Sequence, residues 1–230
     1  MSHDTWIHRV ARVTVVKPLV RTAVTPNQVT TARLLTGIAA AAALAIGSEW
    51  QNLGAAVFVL SVVLDRADGD LARLTGRTSA SGHRYDMIAD AVSNALVLIG
   101  LGVGLRDGGY GLLSVSMGLM AGVSVAAILW LVMRIEELKG ARAAELPSVA
   151  GFDADDAVLL IPVFIWFGQA EGLLVAAFYI APLVAALFFC HVPEKITPFG
   201  ASIGSNRSTG SRRRRQSRRR QKTASGTRPR

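Results

Sequence analysis

Apolar residues in this 230-residue chain are gathered into long runs separated by short polar connections. A helix needs roughly 20 mostly apolar residues to cross a bilayer, and inside lipid a backbone can satisfy its own hydrogen bonds only as a helix or a closed barrel. Six runs reach or approach that length: residues 28–47, 52–74, 82–105, 111–135, 154–167 and 172–191. The fifth is the shortest. A hydrophobic content of 51%, held in such blocks, excludes an ordinary soluble domain. The expected fold is all-α, a polytopic membrane protein with six transmembrane helices.

Ahead of the first run, Arg9, Arg12, Lys17 and Arg21 are spaced among Trp6, Ile7, Val10, Val13, Val16, Leu19 and Val20. That pattern reads as an N-terminal amphipathic helix on the membrane surface, or as a simple basic extension. The stretch has no long apolar core and no cleavage site, so no signal peptide is expected. The formal net charge is +9, yet residues 195–230 hold twelve Lys/Arg and no acid. Residues 1–194 therefore carry thirteen basic and sixteen acidic residues, a net of −3. The basicity belongs to a tail, expected to be disordered and to favour anionic lipid over nonspecific nucleic acid, with no specific nucleic-acid partner. The domain reading follows: a juxtamembrane segment at 1–24, a six-helix body at 25–194 and a basic tail at 195–230. Lys and Arg collect in alternate connections, and an even number of spans places both termini on one side. The expected location is the inner, cytoplasmic membrane, with the termini and the active site facing the cytoplasm. The single Cys190 excludes a disulfide framework.

Against this apolar background, "LDRADGDLARLTGRTSASGHRYDMIAD", residues 64–90, carries five aspartates and four arginines. Asp65 and Asp68 are three residues apart near the end of the second run. Asp86 and Asp90 are four apart near the start of the third. Both spacings put a pair on one helix face. The two helices are expected to run antiparallel around a short turn near 76–82, facing each other, so that Asp65 lies level with Asp90 and Asp68 with Asp86 and four carboxylates converge at one depth between them. Such a cluster repels itself and is costly near hydrocarbon. Oxygen-only ligands suit magnesium or manganese, with water and phosphate oxygens completing the shell. Gly69, Ala72 and Gly82 leave room for a large ligand to approach the backbone. Arg73 can grip a phosphate. Together these features point to phosphoryl transfer or pyrophosphate binding. The bland alternative is a set of helix-end charges paired with local arginines. Asp70 points off the shared face and reads as solvated or Arg-paired.

The spacing Asp65-x2-Asp68-Gly69-x2-Ala72-Arg73-x8-Gly82-x3-Asp86-x3-Asp90 resembles the signature of the CDP-alcohol phosphotransferases. "TPNQVT", residues 25–30, is similar to that family's motif before its first core helix. The resemblance implies a six-helix membrane enzyme, usually a homodimer among membrane lipids. It would move a substituted phosphate from a CDP-linked donor, commonly CDP-diacylglycerol, to a small alcohol and release CMP. By motif position, Asp65, Asp68, Asp86 and Asp90 would hold two divalent ions, Mg2+ or Mn2+, with Asp90 also the catalytic general base. Asn27, Thr30, Gly69, Arg73, Ser79 and Gly82 would bind the CDP donor. The acceptor stays open. The region is similar to phosphatidylserine synthases up to "YDMIADAVS" but continues as "NALVLIG". Phosphatidylinositol-phosphate synthases need cations for an acceptor phosphate, which Arg134, Lys139 and Arg142 can supply, although a positive-inside signal explains them equally. Phosphatidylglycerol-phosphate synthases often carry a downstream Arg comparable to Arg33.

Three further features stand beside the cluster. Asp153, Asp155 and Asp156 read as N-terminal caps of the fifth span or as acceptor contacts. His83 and Tyr85 either line the acceptor pocket or anchor at the interface. A non-enzymatic cation carrier using the same aspartates is the alternative function. It wants polar groups near the bilayer midplane, whereas here the acids collect at one end of their helices.

Overall fold

The computed structural model describes residues 11–139 and 158–191, apart from the side chains of 136–139 and 191. Among the described residues the chain forms helices and turns. A π-helical turn, Arg12–Val16, runs into the short α1, Lys17–Leu19. Then follow α2 (Pro26–Ile46), α3 (Ser48–Thr75), α4 (Ala80–Gly104), α5 (Leu113–Lys139), α6 (Leu160–Trp166) and α7 (Ala170–His191).

Among the described residues four helices are long and apolar enough to cross a membrane: α2, α4, the Leu113–Ile135 part of α5 and the Ala170–Cys190 part of α7. The all-α expectation holds. The six expected spans are not all matched. α3 has 28 residues, about 42 Å at 1.5 Å per residue, but its second half is charged. α6 has seven residues, and residues 140–157 before it lie outside the described ones.

Local chemistry explains the helix ends. Thr25 caps α2 in a capping box: Gln28 N–H donates to Thr25 Oγ1 at 3.4 Å and Thr25 N–H to Gln28 Oε1 at 2.9 Å. Pro26 follows at the first helical position, where its missing N–H costs nothing. α3 stops at Gly76, whose φ of 65° is left-handed. Its N–H reaches the Ala72 and Arg73 carbonyls. Ser79 then caps α4, its Oγ accepting from Gly82 N–H at 3.0 Å. The chain thus reverses between Gly76 and Ser79.

The packing differs from the simple hairpin expected of the two acidic helices. α2 packs along both α3 and α4, which touch each other over only a short stretch. Small residues let α2 come close. A Cβ added at Gly100 would strike the Ala41 carbonyl, and one at Gly104 the Leu44 carbonyl. One at Gly37 would lie 2.5 Å from Ser93 Oγ. Gly118 sits as tightly against the Leu98 carbonyl, where α5 meets α4. The main apolar core runs through Ala40, Leu44, Phe58, Val62, Val97, Leu101, Ile161 and Ile165.

The described part of the N-terminal segment turns apolar residues toward protein. Ala11 and Val16 are buried with Val29, Ala67 and Leu71, while Val13 and Val20 stay exposed. Positions 5–10 of the expected amphipathic helix lie outside the described residues.

Candidate active site

α2 presents Val29, Thr30, Arg33, Gly37, Ala40, Ala41 and Leu44 on one buried face. The three-and-four spacing is that of a helix stripe. Arg33 is the exception in kind: it is only 2% exposed, in the middle of an apolar helix. A buried guanidinium must be paired, and the acidic halves of α3 and α4 supply the partners.

Oxygens of Asp65, Asp68 and Asp86 lie within 4.8 Å of one another. Arg33 Nη1 is 3.1 Å from Asp65 Oδ1 and 3.1 Å from Asp86 Oδ1. Its Nη2 donates to Asp90 Oδ1. Asp90 Oδ1 also accepts from Asn94 Nδ2 at 2.9 Å. Asp68, 3% exposed, is held from α2 as well, with Thr30 Oγ1 donating to its Oδ2 at 2.6 Å. Ser61 Oγ donates to the Arg33 carbonyl at 3.0 Å, which fixes α2 against α3 one turn before Asp65. The four acids from two helices are therefore gathered on side chains of a third. Three form one compact oxygen cluster, and Asp90 is joined to it through Arg33.

The residues expected to bind the donor fall into two groups. A Cβ at Gly82 would lie 2.9 Å from Ser79 Oγ and 3.2 Å from Asn27 Oδ1. The first motif and the turn after α3 therefore meet at a small-residue position. Tyr85 joins the same seam, with its hydroxyl 3.0 Å from Thr31 Oγ1. Gly69 and Arg73 form the second group: a Cβ at Gly69 would touch the Arg73 guanidinium at 3.6 Å. Arg73 itself is mostly exposed and donates from Nη2 to Asp70 Oδ1 at 2.7 Å. Arg12 Nε approaches Asp70 Oδ2 at 3.5 Å. Asp70 is thus Arg-paired and buried rather than solvated.

Arg134 stacks over the Trp130 ring, 5.4 Å from its centroid. The Lys139 side chain, Arg142 and the acids at 153, 155 and 156 lie outside the described residues. Sequence spacing by itself gives no role to Asn94, which at +4 from Asp90 bonds that acid, or to Ser61, which at −4 from Asp65 bonds the Arg33 carbonyl.

An all-oxygen donor set at this spacing fits a hard divalent cation such as magnesium or manganese. Chemically, the site offers carboxylates for a cation, a buried guanidinium and an adjoining seam of small and polar residues. No curated protein matches the chain. The family model for CDP-alcohol phosphatidyltransferase matches residues 23–188, from the capping box of α2 to the last turn of α7. The match spans most of the chain and every acid described above, so the protein belongs to the CDP-alcohol phosphatidyltransferase family of membrane proteins.

Proposed function

We propose that the protein transfers a phosphatidyl group from CDP-diacylglycerol to the hydroxyl of a small polar alcohol, releasing CMP. Membership of the family carries transfer from a CDP-alcohol. The observation that supports chemistry at Asp65–Asp90 is the convergence of Asp65, Asp68 and Asp86 oxygens within 4.8 Å. In this reading those acids bind Mg2+ or Mn2+, and metal dependence follows. When bound, the cation neutralises charge on the pyrophosphate and on the leaving CMP.

The remaining work falls to the chain's own groups. Asn27, Ser79 and Gly82 form the seam that receives the nucleotide. Thr30 holds Asp68 while Gly69 leaves room beside Arg73, whose guanidinium binds a phosphate oxygen. Asp90 accepts the proton of the acceptor hydroxyl as its oxygen attacks phosphorus. The new P–O bond forms, the bond to the CMP oxygen breaks, and CMP leaves with that electron pair. A carboxylate is a weak base for an alcohol, so orientation supplies much of the acceleration. Arg33 and Asn94, both on Asp90 Oδ1, provide it.

The same reading has residues 25–194 as the transferase body, between the segment at 1–24 and the basic tail. It has α3 and the chain around α6 complete six spans, and the amphipathic N-terminal segment lie at the interface. Both termini and the site face the cytoplasm, and two copies form a homodimer. Where the acceptor carries a phosphate, Arg134, Lys139 and Arg142 are the cations that would serve it; otherwise they stand as a positive-inside signal.

The test is CMP release by purified protein with CDP-diacylglycerol and magnesium, screened over serine, glycerol 3-phosphate, inositol, inositol 1-phosphate and glycerol. One acceptor should support release, and Asp90→Asn should reduce it by about 10²–10⁴-fold. No release with any acceptor, together with no binding of the donor, would overturn the reading.

A further inference from the structure

The N-terminal segment packs on α3, where Ala11 and Val16 are buried with Ala67 and Leu71. Asp70 lies on that same face, three residues from Ala67 and next to Leu71, and its side chain is only 4% exposed. Its two oxygens meet two arginines. Arg73 Nη2 donates to Oδ1 at 2.7 Å, and Arg12 Nε of the N-terminal segment lies 3.5 Å from Oδ2. We infer that Asp70 is a positioning residue for the donor: covered by the N-terminal segment, it holds the Arg73 guanidinium in the orientation that takes a phosphate oxygen. The inference rests on the role proposed above for Arg73.

The two ends of this pair differ in freedom. Asp70 is enclosed, whereas the Arg73 side chain is 63% exposed. An exposed arginine samples many rotamers, and a ligand that uses it must first freeze it. A fixed carboxylate one turn earlier on the helix does so in advance, which favours binding. The pairing occupies one guanidinium N–H of five, so donors remain for a phosphate. Gly69 stands beside the same guanidinium with no side chain to block the approach.

Charge alone makes the opposite demand. A carboxylate beside a phosphate-binding group repels the phosphate. Arg12 offsets it, since Arg12 and Arg73 against Asp70 leave one positive charge on the trio. The N-terminal segment thus supplies both the cover over Asp70 and the cation that balances it. The two accounts of Asp70 differ in sign. As a competing charge, its removal tightens donor binding; as a positioning residue, its removal weakens it.

Equilibrium binding of CDP-diacylglycerol to the purified full-length protein, with magnesium and no acceptor, tests this beside kcat for CMP release. Asp70→Asn should weaken donor binding about tenfold and leave kcat within about threefold of wild type, because the lost contact orients a binding group and not the reacting atoms. In an Arg73→Gln background the same change should cost less than about twofold, since residues acting as a unit are not additive. Where Asp70→Asn does not fold, Arg12→Gln takes its place in the same comparison, with an expected loss of about threefold that also vanishes in the Arg73→Gln background. Unchanged or tighter binding in the variant used, a fall in kcat as large as the loss of binding, or an equal loss with and without Arg73 would overturn the inference and leave the proposed function standing. A wild-type chain that neither binds the donor nor releases CMP would remove both together.

Discussion

Thr30 illustrates how much one side chain can decide in this site. Its hydroxyl donates to Asp68 Oδ2 at 2.6 Å, and both residues are buried. A hydrogen bond to a charged group contributes about 1.5–3 kcal/mol. Thr30→Val keeps the shape and removes the donor, so CMP release should fall by about 10–100-fold. Thr31→Val, which removes the exposed contact to Tyr85 and the bond to the Asn27 carbonyl but touches no acid of the cluster, should lower release by no more than about threefold; steady-state rates of the two variants check this. Asp68 is legible from spacing alone, and so are its three acidic companions, because three- and four-residue intervals fix a helix face. The role of Arg33 is not. Its partners are 32 to 57 positions away in sequence, and no local pattern connects a lone arginine in an apolar run to acids on two later helices. The surroundings of Asp70 are hidden for a similar reason. Its helix face gives its direction, but not the N-terminal segment and Arg73 that enclose it.

At the scale of helices, periodicity and caps fix where most elements begin and end. The first motif, "TPNQVT", is a capping box as well as a family mark. The turn after α3 needs Gly76 in a left-handed conformation and Ser79 as the next cap. What periodicity does not carry is the neighbour relation. The spacing of the acids predicts two helices that face each other directly, and α2 instead packs on both. That arrangement depends on close approach at Gly37, Gly100 and Gly104. Overpacking such contacts costs about 1–3 kcal/mol. Gly37→Val should therefore lower the detergent melting temperature and also reduce CMP release. Gly104→Val, at the far end of the same seam, should lower the melting temperature with a smaller effect on catalysis. Thermal unfolding and rate measurements on both variants separate the two effects.

The molecule as a whole exposes much apolar surface on its last helix. Tyr179, Ile180, Leu183, Leu187 and Phe189 are all exposed on α7, as expected of a strongly apolar helix meeting lipid. An apolar groove of about 380 Å³ lies between α5 and α7, lined by Trp130, Leu131, Phe189 and Cys190 among others. It is separate from the acidic cluster. Cys190, the only cysteine of the chain, ends the membrane-crossing part of α7 and lines this groove, so sidedness is read from a cysteine placed in the basic tail, Ser205→Cys in a Cys190→Ser background. A membrane-impermeant maleimide should label it in inside-out vesicles and not in sealed right-side-out ones. Labelling from the opposite side would reverse the proposed orientation.

The position of α2 between the two acidic helices also bears on how the chain is made. Synthesis proceeds from the N-terminus, so α2 leaves the ribosome before α3 and α4. Arg33 is therefore in place before any acid of the cluster arrives. Asp65 and Asp68 follow on the next helix, then Asp86 and Asp90 on the one after. Each incoming carboxylate, costly by itself near hydrocarbon, finds a counter-charge already inserted. The residue that holds the finished site together is thus the first of its charges to be made, and its own cost near hydrocarbon is offset only once the acids of α3 and α4 reach it.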